Sequence, residues 1–230
     1  MAERYAVYYS PEKDSGLARF GNRWLGRCPE TGELFVQPGL PSLPGLDPGS
    51  LTGEPRRYGF HATLVPPFSL RAGLGPDALM EQAARFAAFR KPFDLGPLSV
   101  REIGSFVAMV PSSRNGVTDL AADCVRAFHP LRAEPSLAEM ERRRAKGLTP
   151  AQERNLLRWG YPYVFDEFRF HLTLTDSIAD SRLRRKLVKG LAGISATVRK
   201  AAHPVRELCI FHQEDEAAPF RLVRRIPFTG

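Results

Sequence analysis

Tyr58-Gly59-Phe60-His61-Ala62-Thr63-Leu64 and Phe168-Arg169-Phe170-His171-Leu172-Thr173-Leu174 are two copies of one pattern, aromatic-x-Phe-His-x-Thr-Leu. A lone His-x-Thr carries no information. Two copies that agree at Phe, His, Thr and Leu, in a chain with only five histidines, are an internal repeat. On a strand, residues i and i+2 share a face. His61 and Thr63 therefore point one way, and Tyr58, Phe60, Ala62 and Leu64 point the other way, into a core. The second copy divides alike, with His171 and Thr173 against Phe168, Phe170, Leu172 and Leu174. Each copy offers a proton carrier beside a hydroxyl, backed by packed aromatics. The pattern predicts strands over residues 58–65 and 168–175, the first stopped by Pro66-Pro67, which cannot donate to a sheet ladder.

Working outward, Arg4 to Tyr9 is aromatic and β-branched and reads as a first strand, followed by a helix over residues 15–25. Pro38 to Pro55 is too rich in Pro and Gly for regular structure and reads as a surface excursion. Pro76 to Arg90 and Val117 to Phe128 carry apolar stripes at helical spacing. Phe93–Ile103 and Phe106–Val110 read as strands about a Gly104-Ser105 turn. Residues 135–161 read as a helical insertion, with a capping box at Thr149-Pro150-Ala151-Gln152 and an exit at Gly160 and Pro162. A helix over residues 182–191 and strands over 205–212 and 220–228 complete the chain. Several connections are too short for parallel crossovers, which predicts antiparallel sheets with helices packed on them, an α+β fold in one domain spanning 1–230.

The 230 residues, 43% of them hydrophobic, suffice for a sizeable core. The formal charge of +8 favours an anionic partner, a phosphorylated metabolite or a nucleic acid. Cys28, Cys124 and Cys209 are scattered and odd in number, with no zinc or disulfide spacing, and read as buried reduced thiols. No run approaches the ~20 apolar residues of a membrane span. The opening Met1-Ala2-Glu3-Arg4-Tyr5 runs straight into a strand pattern, unlike a secretory signal. A soluble cytoplasmic protein, with no membrane and no obligate protein partner, is the expectation.

Two imidazoles and two hydroxyls around one site suit acid–base work. A neutral ring takes a proton from water, a charged ring protonates a departing alkoxide, and the threonines donate to phosphate oxygens. This chemistry requires neither metal nor cofactor, and the spacing leaves open which histidine is base and which acid. His129, His203 and His212 lack a matching Thr or any ligand spacing.

Two His-x-Thr strands in one chain resemble the 2H phosphoesterase superfamily, which includes 2′–5′ RNA ligase-like proteins and cyclic nucleotide phosphodiesterases. The longer strings RYAVYYSP, RFGNRWLGR, RRYGFHATLVPPF, LAADCVRAFHPLRA, GLTPAQERNLLRWGYPYVFDEFRFHLTLT and PFRLV are similar to the DUF1045-type branch described as phosphonate-metabolism proteins. The resemblance covers essentially the whole chain. It implies a bilobal, pseudo-two-fold fold with a central cleft, His61 and His171 as the catalytic pair, and Thr63 and Thr173 as their substrate-binding companions. It also implies hydrolysis of a cyclic phosphodiester, such as a cyclic phosphate of phosphoribose. Relatives are expected to carry a basic residue directly after the first His-x-Thr-Leu. Val65 stands there in this chain, so another cation is needed to hold phosphate.

Arg169 shares the alternation face of His171 and Thr173, where it either grips a phosphate bidentately or is an exposed charge. Tyr58 reads as packing first and ligand-binding second. Tyr161 and Tyr163, just before the second motif, are placed to line the mouth of the site and stack on a base or sugar. The basic runs Arg142-Arg143-Arg144 with Lys146, and Arg182, Arg184, Arg185, Lys186 and Lys189, either face solvent or contact RNA. Two alternatives to a small cyclic phosphate therefore stand: an enzyme acting on cyclic-phosphate or 2′–5′ RNA ends, and a non-catalytic sensor of a phosphorylated ligand.

Overall fold

The computed structural model describes residues 3–113, 116–145 and 147–230. Lys146, part of one basic run, lies outside the described residues. In chain order the elements are β1 (Arg4–Tyr9), α1 (Gly16–Leu25), α2 (Gly53–Tyr58), β2 (Ala62–Phe68), α3 (Pro76–Ala87), β3 (Phe93–Asp94), β4 (Leu98–Ile103), β5 (Phe106–Pro111) and α4 (Val117–Phe128). After them come α5 (Leu137–Arg144), α6 (Pro150–Trp159), β6 (Leu172–Thr173), α7 (Ser181–Ile194), α8 (Ala196–Lys200), β7 (Pro204–Val205), β8 (Glu207–Gln213) and β9 (Arg221–Pro227). This is a mixed α+β fold with antiparallel pairing throughout the described ladders.

One sheet has the order β2-β1-β8-β9 and another the order β4-β5-β6, while β3 and β7 form a separate ribbon. Each repeat therefore stands at a sheet edge, the first on β2 and the second on β6. Helices α3 and α4 pack on the first sheet, and α7 and α8 on the second. Strand β1 is covered on both faces. Tyr5, Val7 and Tyr9 enter the main core, whereas Ala6 and Tyr8 join a second cluster with Cys209, Phe211, Phe220 and Leu222. That second cluster is the floor on which the first motif sits.

Helix α1 starts where Ser15 accepts the Ala18 N–H and ends at Gly26 in the left-handed region. It holds both motifs. Gly21 lies so close to Phe60 that a Cβ would fall 2.0 Å from the ring. One turn on, the buried Trp24 indole donates to the Leu174 carbonyl at 2.7 Å.

Several elements differ from their sequence reading. Strand β2 begins at Ala62 and runs through Pro66-Pro67 to Phe68. Its position at the sheet edge lets it tolerate residues that cannot donate. The Pro38–Pro55 stretch is not wholly irregular: a 3-10 turn covers Pro48–Leu51, capped by Asp47, and α2 starts at Gly53. Leu40 and Leu51 from it are buried in the main core. The reading of 93–103 as one strand fails at Gly96, whose φ of 67° turns the chain between β3 and β4. The second motif has only two ladder residues, Leu172 and Thr173, because a 3-10 turn at Phe165–Glu167 precedes it. Cys124 and Cys209 are buried free thiols, but Cys28 is only half-buried.

The capping box of α6 forms as read, with Thr149 and Gln152 bonding reciprocally. No described helix is long and apolar enough to cross a membrane.

Candidate active site

The two histidines are held in the same way. His61 directs Nδ1 at the Gly59 carbonyl, 2.8 Å away, and His171 directs Nδ1 at the Arg169 carbonyl, 2.6 Å away. A carbonyl can only accept, so Nδ1 carries the proton in both rings and the lone pair of each neutral imidazole lies on Nε2. In the first motif Nε2 lies 3.3 Å from the Thr63 hydroxyl. Gly59 reaches this geometry at φ 80° and ψ 171°, a region nearly restricted to glycine. A Cβ there would also fall 2.5 Å from Pro29. The second copy makes the same bond from Arg169, a residue with a Cβ, so the repeat is one of hydrogen bonding rather than of backbone shape.

Alternation holds through both motifs: Ala62, Leu64, Leu172 and Leu174 are buried, and His61, Thr63, His171 and Thr173 are partly accessible. Phe60 and Phe170 are buried behind their histidines, Phe170 tilted against Tyr9 at 5.5 Å. Burial lowers the His61 pKa to about 4, and the charge of His171 acts in the same direction. Burial also lowers the His171 pKa below the ordinary imidazole value.

The motifs are clamped together by Asp176, just past the second copy. Its carboxylate accepts the N–H groups of Gly53 and Glu54 at 2.9 and 2.8 Å, and its own N–H donates to Leu51 at 2.7 Å. These bonds satisfy the first free donors of α2, whose last residue is three positions before His61. Arg27 braces the other side, donating to the Phe220 carbonyl at 2.6 Å and more loosely to Arg56 and Arg57.

Tyr58 does not lie on the strand, as alternation suggested. It is the last residue of α2 because Gly59 breaks the extended run before β2 begins. Its ring stacks on Phe220 at 5.0 Å and lies 6.1 Å from His61, which puts it beside the site and not in the main core. Tyr161 and Tyr163 meet edge to face at 5.6 Å, and Tyr161 lies in the fields of Tyr58, Arg132 and Arg143. The part of Arg169 that meets the histidine is its carbonyl. Its side chain is exposed and lines a groove with Arg101, Glu102 and Thr118. Val65 is buried in the main core, turned there by an irregularity in the β1–β2 register that pairs Val7 with Val65 and Tyr8 with Thr63.

Sequence reasoning missed Tyr8, which stacks on His61 with centroids 3.8 Å apart. It also passed over Arg4 and Arg132, and read Arg143 only as part of a basic run; the charges of these three are felt by Tyr8 or Tyr161. Only the face shared by Arg4, Ala6 and Tyr8 hinted at this, and burial of both faces of β1 hides it. Of the basic runs, Arg143 pairs with Glu139, Arg144 with Glu153 and Arg184 with Glu102. Arg142, Arg182, Arg185, Lys186 and Lys189 are exposed. Among the described residues no cluster of three or more His, Cys, Asp or Glu side chains could hold a metal ion.

The sequence model of the family described as "Protein of unknown function (DUF1045)" matches residues 63–221. The chain belongs to the DUF1045 family. The match takes in Thr63, His171 and Thr173 and starts two residues after His61. This DUF1045 chain is 38% identical over 240 residues to the ribose 1,5-bisphosphate phosphokinase PhnN of Janthinobacterium sp. (strain Marseille), covering 99% of the chain and 51% of that protein. It is 32% identical over 228 residues to the protein of the same name from Laribacter hongkongensis (strain HLHK9), covering 97% and 51%. The DUF1045 chain thus spans about half the length of these relatives. A solved structure, TT0787 of Thermus thermophilus, shares the fold with a TM-score of 0.50 at 13% identity, covering 99% of this chain and 98% of that one.

Proposed function

We propose that this chain is a 2H phosphoesterase that opens a small cyclic phosphodiester without a metal, using His61 as base and His171 as acid. The observation that carries this reading is the matched Nδ1-to-carbonyl anchoring, which leaves both Nε2 atoms as the working nitrogens. His61, held at about 4 by burial, is neutral across the physiological range, so its Nε2 keeps the lone pair that takes a proton from water. As the water oxygen bonds to phosphorus, one ring P–O ester bond breaks. The leaving alkoxide receives a proton from His171, and the product is a phosphomonoester with one new free hydroxyl. A bound phosphate anion raises the pKa of His171 and supplies the charged form that step needs. Thr63 and Thr173 donate to non-bridging oxygens, where negative charge builds.

The placement of both motifs on edge strands of separate sheets supports the bilobal, pseudo-two-fold arrangement that the superfamily implies. The kinase name of the relatives belongs to proteins about twice as long. This chain contains no Gly-Lys dipeptide and so no Walker-A phosphate loop. On this reading the activity supplies the compound that gives the relatives their name: opening a 1,2-cyclic phosphate of 5-phosphoribose yields ribose 1,5-bisphosphate. Phosphorus NMR of the chain incubated with small ribose cyclic phosphates and EDTA tests the reading. Conversion of a cyclic-ester resonance to a monoester is expected, and an unchanged spectrum for every cyclic phosphate tried would reject it.

A second reading, an RNA-end enzyme, rests on the exposed Arg182, Arg185, Lys186 and Lys189 of α7. Salt-dependent RNA affinity, lost when these four are replaced together, would favour it.

A further inference from the structure

Arg143, on α5, and Arg132, in the connection between α4 and α5, bring two guanidiniums to the tyrosine side of the site. Arg132 is 7% exposed, donates from Nη1 to the Trp159 carbonyl at 2.9 Å, and lies 5.6 Å from the Phe68 ring centroid. Arg143 lies 4.8 Å over the Tyr161 ring. It pairs with Glu139 one turn back, yet its Nε is buried without a hydrogen-bond partner. Burial, and then the charge of Arg143, lower the Arg132 pKa to about 10. Glu139 and Tyr161 are the groups that act against this. Two largely buried cations thus lie in the field of one carboxylate, which is paired with Arg143, an arrangement that a bound anion relieves. Tyr161 carries the connection onward: its phenol is felt by Tyr8, whose ring lies on His61.

We propose that Arg143, Arg132 and the Tyr161 hydroxyl form a second anion subsite, distinct from the histidine pair, that takes a phosphomonoester on the same small substrate. The inference rests on the reading above, in which the histidines work on a cyclic phosphate of a sugar. It narrows the substrate class to molecules with two phosphates, one cyclised and one terminal. Guanidiniums suit the terminal group, because planar forked donors match phosphate oxygens. The subsite also replaces the cation that Val65 cannot supply, though at a different place in the molecule.

Calorimetric titration with ribose 5-phosphate, and with ribose as the control, tests this without any turnover. Ribose 5-phosphate is expected to bind and ribose not to. Arg143→Ala should weaken binding about tenfold or more, the loss of a charged hydrogen-bonding partner, and Arg143→Lys should restore part of it. Tyr161→Phe, which keeps the ring and its packing, should weaken binding by a smaller factor. Equal affinity in wild type and in Arg143→Ala of unchanged circular dichroism would overturn the proposal, as would a failure of wild type to bind. Turnover of adenosine 2′,3′-cyclic phosphate, which lacks a second phosphate, reports on the histidine pair alone. Failure of the subsite and failure of the acid–base reading are therefore distinguishable.

Discussion

The phenol ring of Tyr8 lies face to face with the imidazole of His61, centroids 3.8 Å apart and planes 20° apart. The β1–β2 register sets Tyr8 opposite Thr63, so one residue supports both the proton carrier and its hydroxyl neighbour. Tyr8 is itself held between Phe211 at 4.9 Å and Phe220 at 6.4 Å. Tyr8→Phe should retain turnover within about tenfold. Tyr8→Leu, which removes the plane against which the imidazole rests, should cost about 100-fold through lost orientation. Steady-state rates of the two variants on one cyclic phosphate check this.

The pH profile follows from burial of both rings. In the unliganded protein His61, the proposed base, is protonated only near pH 4, and His171, the proposed acid, loses its proton below the ordinary value of about 6.5. The profile of kcat/KM should therefore be a bell with its acid limb near 4 and its alkaline limb below about 6.5. An optimum at alkaline pH would contradict the assignment.

The same shift acts on stability. Above about 6.5 His61 is neutral in both the folded and the unfolded chain. Below that value the unfolded chain binds a proton that the folded chain refuses until about 4. Stability is therefore lost as pH falls through this window. Thermal midpoints measured from pH 7 to pH 4 should fall less steeply in His61→Asn than in wild type.

Asp176 ties the end of the second motif to the start of α2, and α2 delivers the first motif. Asp176→Ala should lower stability by about 1–2 kcal/mol, the worth of a charged helix cap. It should also slow turnover, because the two histidines lose part of their mutual placement. Asp176→Asn should fall between. Denaturant midpoints and rates, compared across the pair, separate the two effects.

The repeat made the histidine pair legible because a matched pattern survives changes in its surroundings. Alternation then placed His61 with Thr63 and His171 with Thr173 correctly, even though His61 and His171 sit just outside the ladders. Tyr58 was misread because nothing in Arg57-Tyr58-Gly59 announces a helix whose cap, Asp176, is more than a hundred residues away. Pro66-Pro67 misled because the rule against proline relaxes at a sheet edge, and edges are a tertiary property. Tyr8 was hidden in Arg4–Tyr9, where five of six residues are buried and no polar face marks the site. Arg132 was lost among 33 basic residues, and Arg143 stood out only as part of a basic run, until packing set each in the field of the other.

The most direct test of the account is turnover of a small cyclic phosphate by wild type, His61→Ala, His171→Ala and the double variant, each with EDTA present. The account predicts full wild-type activity in EDTA and a loss of about 10²–10⁴-fold in each single variant at unchanged circular dichroism. The double variant should lose little more than the worse single one, since the two rings act as a unit. Undiminished activity in the double variant, or activity abolished by the chelator, would contradict it.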